Sequence, residues 1–123
     1  MKFARITFYI AFVWGLLILT PLFFMFNVIS EKDPPPITHP AFYYGFLSAG
    51  LAFQFVFLVI AGDPVRYRLI MLPSILEKLA YAASLTVLFL EHRLHSQDLA
   101  FGGIDGLFGV LFVIAFLRTP KSM

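Results

Sequence analysis

Residues 70–90 read IMLPSILEKLAYAASLTVLFL. The stretch has membrane-spanning length, yet a carboxylate and an ammonium, Glu77 and Lys78, stand side by side within it. A helix needs about 20 predominantly apolar residues to cross a hydrocarbon layer roughly 30 Å thick. A charged side chain at the centre of that layer costs about 2.5–3.5 kcal/mol on insertion scales. Whether the chain crosses here decides whether its number of spans is even. The rest of the sequence answers that it does.

Three more apolar segments, at about 7–29, 41–61 and 100–117, have the same length and are separated by short polar stretches. Of the 123 residues, 60% are hydrophobic and 13% charged, and the mean hydropathy is +0.88. Soluble domains carry roughly 45–50% apolar residues. We therefore expect one all-α domain over 1–123, a four-helix transmembrane bundle. With no cysteine, disulfides, thiolate metal sites and cysteine nucleophiles are excluded.

The linkers agree with four spans. SEKDPPPITHP, residues 30–40, carries three consecutive prolines and then His39-Pro40, which favours an extended connection. In AGDPVRYR, residues 61–68, Gly62 closes one helix, Asp63 caps the next and Pro64 suits a first helical position. Thr20-Pro21 predicts a kink within the first span. Lys2, Arg5, Arg66, Arg68, Arg118 and Lys121 flank one side of the spans, whereas Lys32 and Arg93 flank the other. That bias places both termini in the cytoplasm of a cell whose inner membrane holds the protein. The net charge of +2 is therefore a topology signal, and no nucleic-acid partner is expected.

Polar residues inside the spans are where function is to be sought, because each must find a partner in hydrocarbon. On the third span Glu77, Tyr81, Ser84 and Glu91 share a face at 3.6-residue spacing, and on the second His39, Tyr43, Gly50 and Gln54 do the same. On the fourth, Gly102, Asp105, Gly106 and Gly109 form a small-residue face that turns Asp105 toward the bundle. Gly45 and Ala49, with Ala41, make a comparable packing face on the second span. We expect Asp105 in the outer half, near Tyr43, Tyr44 or Asn27. The candidate polar site is Asp105, Glu77, Tyr81, Gln54, Tyr43 and His39.

Each candidate has a plainer role beside the functional one. Ser74 and Glu77 fit a capping box, S-x-x-E, which would make Glu77 a helix cap and let Lys78 snorkel to the headgroups. His39 beside Pro40 suits an interfacial turn. His92 and His95 lack a third ligand, so no metal site is expected. Trp14, Tyr43, Tyr44 and Tyr81 suit aromatic belts or packing. No phosphate loop, G-x-S-x-G or H-E-x-x-H motif occurs, and the residues specify no cofactor.

PPITHPAFYYGF, IAGDPVRYRLIMLPSILEKL and FGGIDGLFGVLFVIAFLRT together cover nearly the whole chain. In layout they resemble small four-helix bacterial inner-membrane proteins of the DoxX-like kind. The resemblance implies a four-helix membrane bundle and brings no catalytic residues. The leading expectation is a non-enzymatic membrane protein that binds a lipid, a quinone or another apolar small molecule, or a membrane partner or second copy of itself. The alternative is a membrane enzyme or proton-coupled transporter using Asp105 and Glu77. A cavity lined by both carboxylates favours the alternative; a closed bundle that satisfies both favours the first.

Overall fold

A computed structural model describes residues 2–32, 38–92 and 96–121. All regular structure in them is helical: α1 Lys2–Leu22, α2 Phe26–Lys32, α3 Pro40–Gly62, α4 Met71–Leu90 and α5 Ser96–Arg118, with a short 3-10 turn Arg68–Ile70 leading into α4. Four stretches are long and apolar enough to cross a membrane: Lys2–Leu22, Pro40–Gly62, Arg68–Leu90 and Asp98–Arg118. The stretch around Glu77 and Lys78 is thus one of four. The triproline run and His95 lie outside the described residues.

The first span differs from its expected course. It begins at Lys2, earlier than position 7, and it ends after Pro21 where a kink was expected. The proline ring has no N–H to give to the preceding turn. Phe23, Phe24 and Met25 N–H then bond Thr20, Pro21 and Leu22 carbonyls three residues back, at 3.2, 3.0 and 3.3 Å. This tightening terminates α1. The Leu22 carbonyl also accepts a 2.7 Å hydrogen bond from the Tyr43 hydroxyl, so α3 caps the end of α1. Phe26 of α2 packs on Tyr43 and Tyr44 with ring centroids 5.2 and 5.7 Å away.

The long helices form two hairpin-like pairs, α1 with α3 and α4 with α5, joined mainly where α1 meets α5; α3 and α4 touch only sparingly. The join is aromatic. Phe8 of α1 stacks on Phe112 of α5 at 4.1 Å between centroids, and Phe57 of α3 meets both. Ala4 and Ala11 on α1, Met71 on α4 and Ala115 on α5 complete this core. Apolar burial gives helices little reason to associate in lipid, so close packing of such groups holds them. Each well-placed ring pair adds about 0.5–1.5 kcal/mol.

This core fills only one half of the bundle, the end where α1 starts, α3 hands over to α4 and α5 finishes. Arg68 locks that end. Its Nε donates to the Thr119 carbonyl at 2.8 Å, and its guanidinium lies 3.8 Å from the Phe116 ring centre. Arg118 lies 4.8 Å from the Phe3 ring centre, joining the two ends of the chain. Asp63 organises the turn as expected, its Oδ1 accepting from Arg66 N–H at 3.3 Å. Around the outside, large apolar side chains such as Leu17, Phe24, Phe42, Leu76, Leu90 and Leu117 stand exposed. So extensive an apolar surface suits lipid and not water.

Candidate functional site

Above the aromatic core the bundle is hollow. A cavity of about 500 Å³ lies between α1, α3, α4 and α5, walled by Trp14, Ile18, Leu19 and Leu22, by Phe46, Ala49 and Phe53, and by Tyr81, Asp98 and Phe101, with Ile29 of α2 also lining it. Along α1 the lining from Trp14 to Leu22 runs roughly 12 Å. Five of the six candidate residues line it: Asp105, Glu77, Tyr81, Gln54 and Tyr43. His39 does not. It is exposed at the start of α3, makes no side-chain capping bond and lies beside Phe42, in keeping with an interfacial turn.

The charged groups come together as a trio, which the spacing within each span did not indicate. Lys78 shares the buried stripe of α4 with Met71, Ser74 and Leu85, positions spaced so that a helix presents them on one side. It is 3% exposed and near the middle of the stretch Arg68–Leu90. Its Nζ donates to Asp105 Oδ1 at 3.2 Å and lies 3.8 Å from Glu77 Oε2. The rings of Phe57 and Phe108 sit beneath it at 5.3 and 5.7 Å, close enough to attract a cation. The snorkelling expected of Lys78 is therefore wrong. Lys78 sits directly on two rings of the core, with the Asp105 carboxylate within reach of its ammonium.

The capping-box reading of Ser74 and Glu77 also fails. Ser74 Oγ donates back to the Ile70 carbonyl at 2.9 Å, inside a helix already begun at Met71. Pro73 fits this first turn because its missing N–H has no helical partner there. Glu77 consequently faces the cavity together with Tyr81, whose ring stacks on Phe46 at 6.0 Å. The expected stripe ends there: Ser84 and Glu91 are exposed.

Asp105 turns toward the bundle as expected, although its partner is Lys78 and not Tyr43, Tyr44 or Asn27. The glycines around it pack on α4. A methyl on Gly102 would lie 2.8 Å from Leu85 Cδ1, on Gly109 2.5 Å from Leu79 Cδ2, and on Gly106 3.5 Å from Ala82 Cβ. The packing face proposed on α3 is corrected: Gly45 has no neighbour where a side chain would go, and Ala49 faces the cavity. The close approach to α1 occurs at Gly15 instead. A Cβ there would collide with the Gln54 amide, which lies flat across it. Gln54 Nε2 donates to the Gly50 carbonyl at 2.7 Å.

Two buried side-chain oxygens at this level, Gln54 Oε1 and Glu77 Oε2, have no hydrogen-bond partner. Lys78 is too far from Glu77 for a hydrogen bond of ordinary length. Both oxygens are sealed from the cavity, whereas the rest of the Glu77 side chain keeps 25% exposure, so the floor presents a carboxylate beneath largely apolar walls. Among the described residues no group of three or more His, Cys, Asp or Glu is placed to hold a metal. Comparison of the chain with protein-family models, curated proteins and solved structures gives no significant match.

Proposed function

We propose that this is a multi-pass protein of the cell inner membrane, with both ends cytoplasmic, that holds an apolar small molecule of lipid-like size inside its bundle. One observation carries the reading. The cavity is walled mainly by aliphatic and aromatic side chains, with Asp98 also on its wall, and ends in a small charged floor, the division expected of a site for a molecule with a largely apolar body and a polar end. Its position inside four apolar helices supports uptake from the bilayer.

A second reading, acid–base or proton-coupled work on that molecule, is favoured by the convergence of Glu77 and Asp105 on the same cavity. Lys78 between them offers a third group for proton exchange. The two readings share the occupant and differ in what happens to it.

Native mass spectrometry of the purified protein tests the shared part. The expected result is a single copurifying adduct of lipid-like mass. Ala49→Phe, which fills the cavity from its wall, should remove the adduct without lowering the melting temperature. Persistence of the adduct in Ala49→Phe, or its absence from the wild type, would sink the reading.

A further inference from the structure

The floor's chemistry selects among apolar occupants, and this selection rests on the cavity reading above. We infer that the molecule presents a cationic, hydrogen-bond-donating head, a protonated amine on an apolar body, to Glu77.

Three independent features agree. The first is a reachable acceptor: Glu77 lines the cavity and its side chain keeps 25% exposure there, although its Oε2 is sealed. An ammonium supplies three donors to such a carboxylate.

The second feature is charge. Three carboxylates, Glu77, Asp98 and Asp105, line the cavity with one ammonium, and Lys78 is committed to Asp105 at 3.2 Å. A second cation beside Glu77 brings the floor to neutrality, as a buried site requires.

The third is the lining. Trp14, Phe46, Phe53, Tyr81 and Phe101 offer ring faces that attract cations. Heads that accept hydrogen bonds fare worse. Donors do line the cavity, among them the Trp14 indole N–H, the Tyr81 hydroxyl and the Lys78 protons that Asp105 does not take, so charge and not a shortage of donors sets the preference. A phosphate or a carboxylate would add to the net negative charge, and a quinone carbonyl would leave it uncompensated.

Trp14 is the only tryptophan in the chain and lines the cavity, so its emission reports occupancy. The full chain in phosphatidylcholine nanodiscs is titrated with dodecylamine, 1-dodecanol and dodecanoate, which share an alkyl body and differ in the head. Saturable changes are expected with affinity falling from amine to alcohol to carboxylate, the amine binding about tenfold or more tighter than the alcohol, as one charge-assisted hydrogen bond gives. Glu77→Gln should abolish the amine's advantage and leave the alcohol within about threefold. Should Glu77→Gln fold poorly, the wild type titrated with dodecyltrimethylammonium, a cation without an N–H, should bind more weakly than with dodecylamine and more tightly than with dodecanoate. Equal binding of amine and alcohol, or tighter binding of dodecanoate, overturns the head-group inference while the cavity reading stands. If none of the three changes Trp14 emission, both fall.

Discussion

Lys78 is the residue on which the middle of the molecule turns. Removing one member of a buried ion pair typically costs 3–5 kcal/mol, because the survivor is left charged and unpaired. The three members of this trio are not equivalent. Asp105→Asn leaves Lys78 with Glu77 already 3.8 Å away, so a small shift restores a pair, and the loss should be about 1–2 kcal/mol. Lys78→Met leaves two carboxylates facing each other without a cation and should cost about 3–5 kcal/mol. The double variant Lys78→Met with Asp105→Leu should recover part of that loss, since it removes a charge along with its partner. Melting temperatures in detergent should follow the order wild type, Asp105→Asn, double variant, Lys78→Met. If Lys78→Met melts like the wild type, the ammonium does not hold the trio together. The sequence made Glu77 and Asp105 legible as membrane acids because each interrupts an apolar run. It hid their meeting, because Lys78 lies one position beyond the stripe containing Glu77 and was more simply placed at the membrane surface. Only the rotation of α4 against α5 decides between the two, and rotation is set by contacts between segments, not by the period within one.

At the scale of the element, spacing identified the glycines of α5 as a packing face but did not rank them. The order comes from what each would touch. Leu85, opposite Gly102, is itself buried, and its Cβ lies 3.2 Å from where the added methyl would go. Gly102→Ala therefore has to move a backbone-anchored atom and should cost about 1–3 kcal/mol. Gly106 faces only Ala82 at ordinary contact distance, so Gly106→Ala should be neutral or gain up to about 1 kcal/mol from helix propensity. A pair of thermal unfolding curves checks this. Greater damage from Gly106→Ala than from Gly102→Ala would mean that α4 and α5 meet in another register. The same limit explains α1. Pro21 was readable as a break in regular bonding, but whether the chain kinks or stops depends on Tyr43 arriving from α3 to take the Leu22 carbonyl. Gly15 carried no signal at all, since its need for a bare Cα comes from Gln54, 39 positions further along the chain.

For the whole molecule, the four-helix architecture was legible almost completely, because hydropathy and length alone dictate which segments can satisfy their backbone in lipid. The up-and-down course brings the start of α1, the turn after α3 and the end of α5 to one end, where Arg68 and Arg118 make their contacts. If the positive-inside bias sets the orientation, reporter fusions after Met123 and within residues 31–38 should report opposite sides of the membrane, the C-terminus inside. A C-terminus outside would reverse the topology and put the cavity in the cytoplasmic half of the bundle. What the sequence could not show was the unequal filling of the bundle. Aromatic residues are spread along all four spans, and nothing local distinguishes Phe8, Phe57 and Phe112, which close on one another, from Phe46, Phe53 and Phe101, which leave a space.

The sparing contact between α3 and α4 bears on how such a space is filled. If the cavity takes its guest from a bilayer, as proposed, this is its least packed seam, and molecules dissolved in the bilayer are better placed to enter than molecules in water. Supply then becomes a two-dimensional problem. The quantity governing occupancy is the number of guests per lipid, not their concentration in the surrounding medium, and adding empty bilayer dilutes the guest even when the aqueous volume is unchanged.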